Sequence, residues 1–120
     1  MLELRSYVGG RWVAGTGSPQ TLLNPTTEEP LAQASSEGVD LQEALHYARS
    51  TGGPALRALS FAERGAALKG IADALQSERE ALFELAIANG GNTPSDAKFD
   101  VDGAIATLLA YSEVAATLGN

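Results

Sequence analysis

The chain has 120 residues, 44% of them apolar but only 6% aromatic, no cysteine and a formal net charge of −7. That length fits one small domain or part of a larger one, and the apolar fraction is too high for a disordered tail. Scattered Lys and Arg leave no basic stripe for nucleic acid or an anionic membrane surface, and without cysteine these residues hold no disulfide, thiolate nucleophile or Cys-based metal site.

Met1-Leu2-Glu3-Leu4-Arg5 lacks the basic start and apolar run of a signal peptide. No apolar stretch approaches the ~20 residues of a membrane span, so the expected location is the cytoplasm. Residues 1–35 read as extended. Gly9-Gly10, between Tyr7-Val8 and Arg11-Trp12-Val13, suits a two-residue hairpin turn with positive φ at both central positions. Gly15, Gly17, Ser18 and Pro19 read as a flexible connection. Thr21-Leu22-Leu23 and Leu31-Ala32-Gln33-Ala34 are short strands separated by the turn-rich run from Asn24-Pro25-Thr26 to Pro30. Such strands need a further sheet to lie on.

From Asp40 the period becomes helical. Asp40 with Glu43 reads as a capping box, followed by Leu41, Ala44, Leu45 and Ala48 on one face, with Gly52-Gly53 as the stop. Pro54 opens a short turn or helix through Leu59. Ser60 with Glu63 starts the next helix, whose apolar face is Ala67, Leu68, Ile71, Ala72 and Leu75. Ser77 with Glu80 is expected to cap a third, ended by Asn89-Gly90-Gly91. Thr93, Pro94 and Asp96 start a fourth that runs to Leu118 and stops at Gly119. Its apolar residues, Val101, Ala104, Ile105, Leu108, Leu109, Tyr111, Val114 and Ala115, fall on more than one face, as in a helix buried inside something larger. The fold class is therefore α+β: an N-terminal antiparallel hairpin and strands, then about four helices. An Ala-rich core buries little area, so the isolated chain is expected to be loose and prone to aggregate.

Gly9-Gly10-Arg11-Trp12-Val13, Asn24-Pro25-Thr26, the Asp40 helix, Glu63-Arg64 and Asn89-Gly90, in this order and spacing, resemble the N-terminal segment of the aldehyde dehydrogenase superfamily. The resemblance covers essentially the whole chain and about the first quarter of a typical member. Three further segments, Ser35 to Asp40, Gly52 to Leu59 and Asp100 to Ile105, resemble a branch of CoA-semialdehyde dehydrogenases of aerobic phenylacetate and benzoate degradation. The resemblance implies NADP-linked (or NAD-linked) oxidation of a CoA-thioester semialdehyde to the acid. It also implies a homo-oligomer at full length, with the remaining dehydrogenase fold or another subunit as this segment's partner. In such enzymes a cysteine adds to the aldehyde, hydride passes to the nicotinamide, and a glutamate activates water. Those groups and the nucleotide-binding turn lie beyond the matched region, so none of the glutamates here, such as Glu63 or Glu84, takes that role. On this reading residues 1–35 form a strand segment and residues 36–120 a helical part of the cofactor-binding domain, with no catalytic or cofactor-binding residue. The alternative is a stand-alone helical interaction module or a non-catalytic truncated product.

Several residues carry two readings. Phe99 and Gly103, four apart on one helical face, fall by resemblance where the family lines the passage from solvent to the cysteine. A glycine there widens the passage for an acyl-CoA; alternatively Gly103 serves close helix–helix approach. Asp100 and Asp102, at i and i+2, do not share a face, which favours capping or pairing with Lys98 or groups outside the segment over a joint acid/base or metal site. Ala88 replaces the acidic residue that many members place beside a monovalent cation, so no metal is expected. His46, the one histidine, lies off its helix's main stripe and reads as a surface residue. Arg64 either pairs near Glu63 or anchors its helix to a sheet. Tyr7 and Trp12 form an aromatic edge for packing or for contact with another part of the assembly.

Overall fold

A computed structural model describes residues 1–119 and divides into two compact units, residues 1–55 and the residues from Leu56 onward. The first unit contains β1 (Leu2–Leu4), β2 (Ser6–Val8), β3 (Arg11–Val13), β4 (Gln20–Leu23), β5 (Pro30–Ala34) and α1 (Leu41–Tyr47). β2 and β3 form the expected antiparallel hairpin, pairing Tyr7 with Trp12. Gly9 and Gly10 both take positive φ (57° and 78°), which only glycine adopts there without strain.

β4 and β5 are antiparallel as expected, with a register shift between Leu22 and Leu23. β1 was hidden in the five-residue start and pairs parallel with β5, so the sheet order is β1-β5-β4 and the strands are not all antiparallel. Ala32 of the central strand is this unit's buried apolar residue. Asn24 organises the β4–β5 turn. Its Oδ1 accepts from the amides of Thr26 (2.9 Å) and Thr27 (3.2 Å), and its own amide donates to the Glu29 carbonyl (2.9 Å).

The Gly15–Gly17 connection is pinned rather than flexible. The Thr16 amide donates to the Glu37 carbonyl at 2.9 Å, and a Cβ at Gly15 would strike Ser35. Glycine is used here for close backbone approach.

Asp40 caps α1, its carboxylate accepting from the Glu43 amide at 2.8 Å. Gly52-Gly53 does not stop the helix. The path widens into a π-helical segment over Ala48–Gly52, where the Gly53 amide reaches back to the Ala48 carbonyl, and continues as α2 (Gly53–Ala58). Pro54 has no amide to offer, and one wider turn accommodates it without a break.

The second unit is built from α3 (Phe61–Ser77), α4 (Arg79–Gly90) and α5 (Pro94–Leu118). Counting the α1–α2 run as one rod, the described residues carry four helices. Ser60 and Glu63 form the full capping box on α3, with the Ser60 amide donating to Glu63 Oε2 at 2.7 Å. The predicted Ser77 cap is absent. The Ser77 hydroxyl donates backwards to the Ala74 carbonyl (2.7 Å), closing α3, and only Glu78, without a capping side chain, separates α3 from α4. Gly91 ends α4 in the left-handed region, and Thr93 caps α5 by accepting from the Asp96 amide (3.2 Å).

α5 packs chiefly on α3. Its inward residues are Ala97, Val101, Ile105, Leu108, Ser112 and Ala115, facing Gly65, Leu68, Ala72 and Leu75. Ile71 therefore lies outside the α3 seam and is half-exposed, as are Tyr111 and Val114 of α5. The buried apolar residues of the described chain are Ala32, Ala72, Ala97 and Ile105. Alanine removes little more than a methyl from water, about 0.8 kcal/mol each. By length and composition α5 is apolar enough to cross a membrane, contrary to the expectation that no such stretch exists. Here it packs on α3 through small residues, and Asp96, Lys98, Asp100 and Asp102 crowd its first turns.

Candidate functional site

Phe99 and Gly103 lie on the exposed face of α5. Phe99 is 79% exposed, and a Cβ built on Gly103 would meet nothing within 4 Å. Close helix packing within this unit therefore does not explain Gly103. That role belongs to Gly65, which the sequence pattern did not single out: a Cβ there would lie 2.8 Å from Ala115 Cβ and 2.9 Å from the Ser112 carbonyl.

Immediately beside the Phe99–Gly103 face stands the strongest polar contact of the unit. Arg79, at the start of α4, grips Asp102 with both arms of its guanidinium, Nε to Oδ1 at 2.6 Å and Nη2 to Oδ2 at 2.8 Å. Its remaining Nη1 donates to Glu80 at 2.8 Å, and its guanidinium carbon sits 4.2 Å from the centre of the Phe83 ring. The hydrogen bond from Arg79 holds the Asp102 carboxyl below the ordinary carboxylate range, with the charges of Arg79 and Lys98 adding to it against partial desolvation. The same bond raises Arg79.

Asp100 looks elsewhere, accepting from Asn92 Nδ2 in the α4–α5 connection at 3.1 Å. Positions i and i+2 diverge by roughly 200° on a helix, so the two acids hold different elements. Among the described residues the hydrogen-bonded partner of Asp102 is thus Arg79, with Lys98 adding its charge. A charge far away in sequence left no local signal for it.

The other candidates resolve into structural roles. Glu63 is occupied by its capping box, which lowers its pKa through the Ser60 hydrogen bonds. Arg64 does not pair near Glu63; its Nε donates to the Leu59 carbonyl (3.1 Å) and its Nη2 to that of Arg57 (3.3 Å), satisfying carbonyls at the end of α2. His46 lies exposed in the last turn of α1. Tyr7 and Trp12 stack edge-on at 5.1 Å, with Arg5 over Trp12 at 5.9 Å, and both rings remain over 60% exposed. Ala88 is half-buried in α4, and among the described residues no cluster of His, Cys, Asp or Glu could hold a metal ion. A cleft between the hairpin and α1 is lined by Val8, Arg11, Asp40, Glu43 and Tyr47, with no convergent acid–base pair among them.

The sequence model of the aldehyde dehydrogenase family matches residues 12–120, and the chain belongs to that family, corresponding to its N-terminal segment. It is 44% identical over 118 residues, 98% of its length, to a 3,4-dehydroadipyl-CoA semialdehyde dehydrogenase from Aromatoleum evansii. Its structure superposes with a TM-score of 0.82 on an NAD-dependent benzaldehyde dehydrogenase from Corynebacterium glutamicum, at 24% identity over 93% of this chain. The chain spans about a quarter of each, 23% of the first and 25% of the second.

Proposed function

We propose that this chain forms the N-terminal layer of a nicotinamide-dependent aldehyde dehydrogenase that oxidises a CoA-thioester semialdehyde from aromatic ring cleavage to the carboxylic acid. The 44% identity to the Aromatoleum evansii enzyme across nearly the whole chain carries the reading. It favours the dehydrogenase over a helical interaction module.

In this reading residues 1–35 form the strand segment and residues 36–120 a helical part of the cofactor-binding domain. The working protein is a cytoplasmic homo-oligomer that uses NADP or NAD. The cofactor accepts hydride when bound, but the residues described do not fit it. The strands all precede the helices, and no strand leads through a glycine-rich turn into a helix N-terminus. The chain contributes shape instead: Phe99 offers an exposed ring and Gly103 open space to the substrate passage.

The test is a hybrid in which residues 1–120 replace the corresponding N-terminal quarter of the Aromatoleum evansii enzyme. We expect turnover of 3,4-dehydroadipyl-CoA semialdehyde, followed by NADPH and NADH absorbance. A soluble, folded hybrid without turnover would refute the assignment.

A further inference from the structure

We propose that Arg79 and Asp102 are positioning residues: their two-armed pair sets the rotation of the first turns of α5 and so aims the Phe99–Gly103 face. The proposal rests on the reading of that face as part of the substrate passage, and three features of the second unit support it.

First, the dipole of its own helix does not favour Arg79 where it stands. A cation at the first position of α4 opposes the helix dipole, and α4 has no side-chain cap at this end. Its value lies in what it holds. A two-armed guanidinium–carboxylate contact fixes orientation as well as distance, and the Arg79 side chain is only 23% exposed, lying over Phe83.

Second, Asp102 sits three residues after Phe99 and directly before Gly103. Turning α5 at Asp102 turns both passage residues with it.

Third, the single glycine of α5 stands just past the clamp. Gly103 lacks a side chain to restrain it, and its carbonyl accepts from the Thr107 hydroxyl at 2.8 Å, a back-bond that bends helices. Beyond that point α5 is anchored on α3, where Ser112 and Ala115 abut Gly65. Before it, Ala97 and Val101 also face α3, while Asn92–Asp100 holds the connection and Arg79–Asp102 fixes the helix from the side. Loss of the clamp therefore loosens the rotation of the segment that carries Phe99, with Ala97, Ile105 and the rest of the α3 seam still in contact.

Two measurements test this. In the hybrid enzyme, Arg79→Lys keeps the charge and loses the fork; KM for the CoA-linked aldehyde should rise about five-fold with kcat within about two-fold. The reciprocal exchange, Arg79→Asp with Asp102→Arg, should restore most of the loss. An unchanged KM, or a fall in kcat with KM held, overturns the proposal and leaves the dehydrogenase assignment standing.

In the 120-residue chain itself, Arg79→Lys should speed amide hydrogen exchange over residues 99–107 of α5 by about five-fold without changing that of α3. Unchanged exchange, or equal acceleration throughout α3 and α5, overturns the proposal. This readout needs no turnover, so an inactive hybrid counts against the assignment alone.

Discussion

Two glycines of α3 differ only in what stands over them, and the same substitution at each should have opposite effects. Alanine in place of glycine inside a helix is worth about 1 kcal/mol through backbone entropy. Gly70 is exposed, and a Cβ there meets nothing within 4 Å, so Gly70→Ala should realise the whole gain. Gly65 is buried, and its Cβ would stand 2.8 Å from Ala115 Cβ and 2.9 Å from the Ser112 carbonyl. Carbon pairs prefer about 3.5–4.0 Å, so α5 must move outwards. Overpacking of this kind costs about 1–3 kcal/mol, which leaves Gly65→Ala neutral to about 2 kcal/mol destabilising after the helix gain is subtracted. Native-state amide exchange reads both locally and needs no cooperative transition. Protection in α3 should increase about five-fold in Gly70→Ala, and in α3 and α5 should fall by up to about thirty-fold in Gly65→Ala. If the two alanines stabilise alike, Gly65 is not the contact point between α3 and α5.

Ser60→Ala removes the hydroxyl that receives the Glu63 amide, and should cost α3 about 1 kcal/mol, seen as loss of amide protection confined to its first turns. Acid should act through Glu63 and Asp102, both held below their ordinary values of 4.5 and 3.8. Carboxyls lowered in the fold contribute stability above their unfolded values and lose it as pH falls through the folded ones. Far-UV circular dichroism should thus stay level from neutral pH down to the ordinary carboxylate range and decline below it. Glu63→Gln combined with Asp102→Asn should lower the neutral plateau and flatten the acid decline; an unaltered decline would show that other groups control it. In the hybrid enzyme, Gly103→Leu should raise KM for the CoA substrate about ten-fold by narrowing the passage. A normal KM would mean that residue 103 does not face substrate.

The elements whose cause is local were legible in the sequence. The Gly9-Gly10 turn, the Ser60–Glu63 box, the Gly91 stop and the Thr93–Pro94 start are each decided within four residues, and each stands as read. What failed depended on distant partners or on competing local bonds. β1 is strand because β5 lies beside it. Gly15 and Gly17 are rigid because the segment from Ser35 to Gly38 presses on them. Ser77 had the spacing of a cap but found the Ala74 carbonyl first. The glycines at 52 and 53 sat comfortably in right-handed helical geometry, as glycine can wherever the neighbouring turn supplies a bond. At the candidate site Asp100 and Asp102 turn to different partners, and nothing near them in sequence pointed to Arg79, 23 residues away.

The second unit separates the forces that hold α5. Shape holds it on α3, where a glycine admits Ser112 and Ala115 and any added carbon collides. Charge holds it on α4, where Arg79 grips Asp102 from the side. Neither force touches the side-chain positions of Phe99 or Gly103 directly: one is 79% exposed and the other has open space where a side chain would go. A residue that supports no contact in its own unit is free to be chosen for what it faces. Substitutions at 99 and 103 should therefore change substrate binding without changing amide protection in α3, whereas those at 65 should do the reverse. Gly103→Ala gives the sharpest version, because helix propensity favours alanine by about 1 kcal/mol. A more stable α5 combined with a higher KM would show that the glycine is kept for the passage. Lost protection in α3 would place residue 103 in the packing after all.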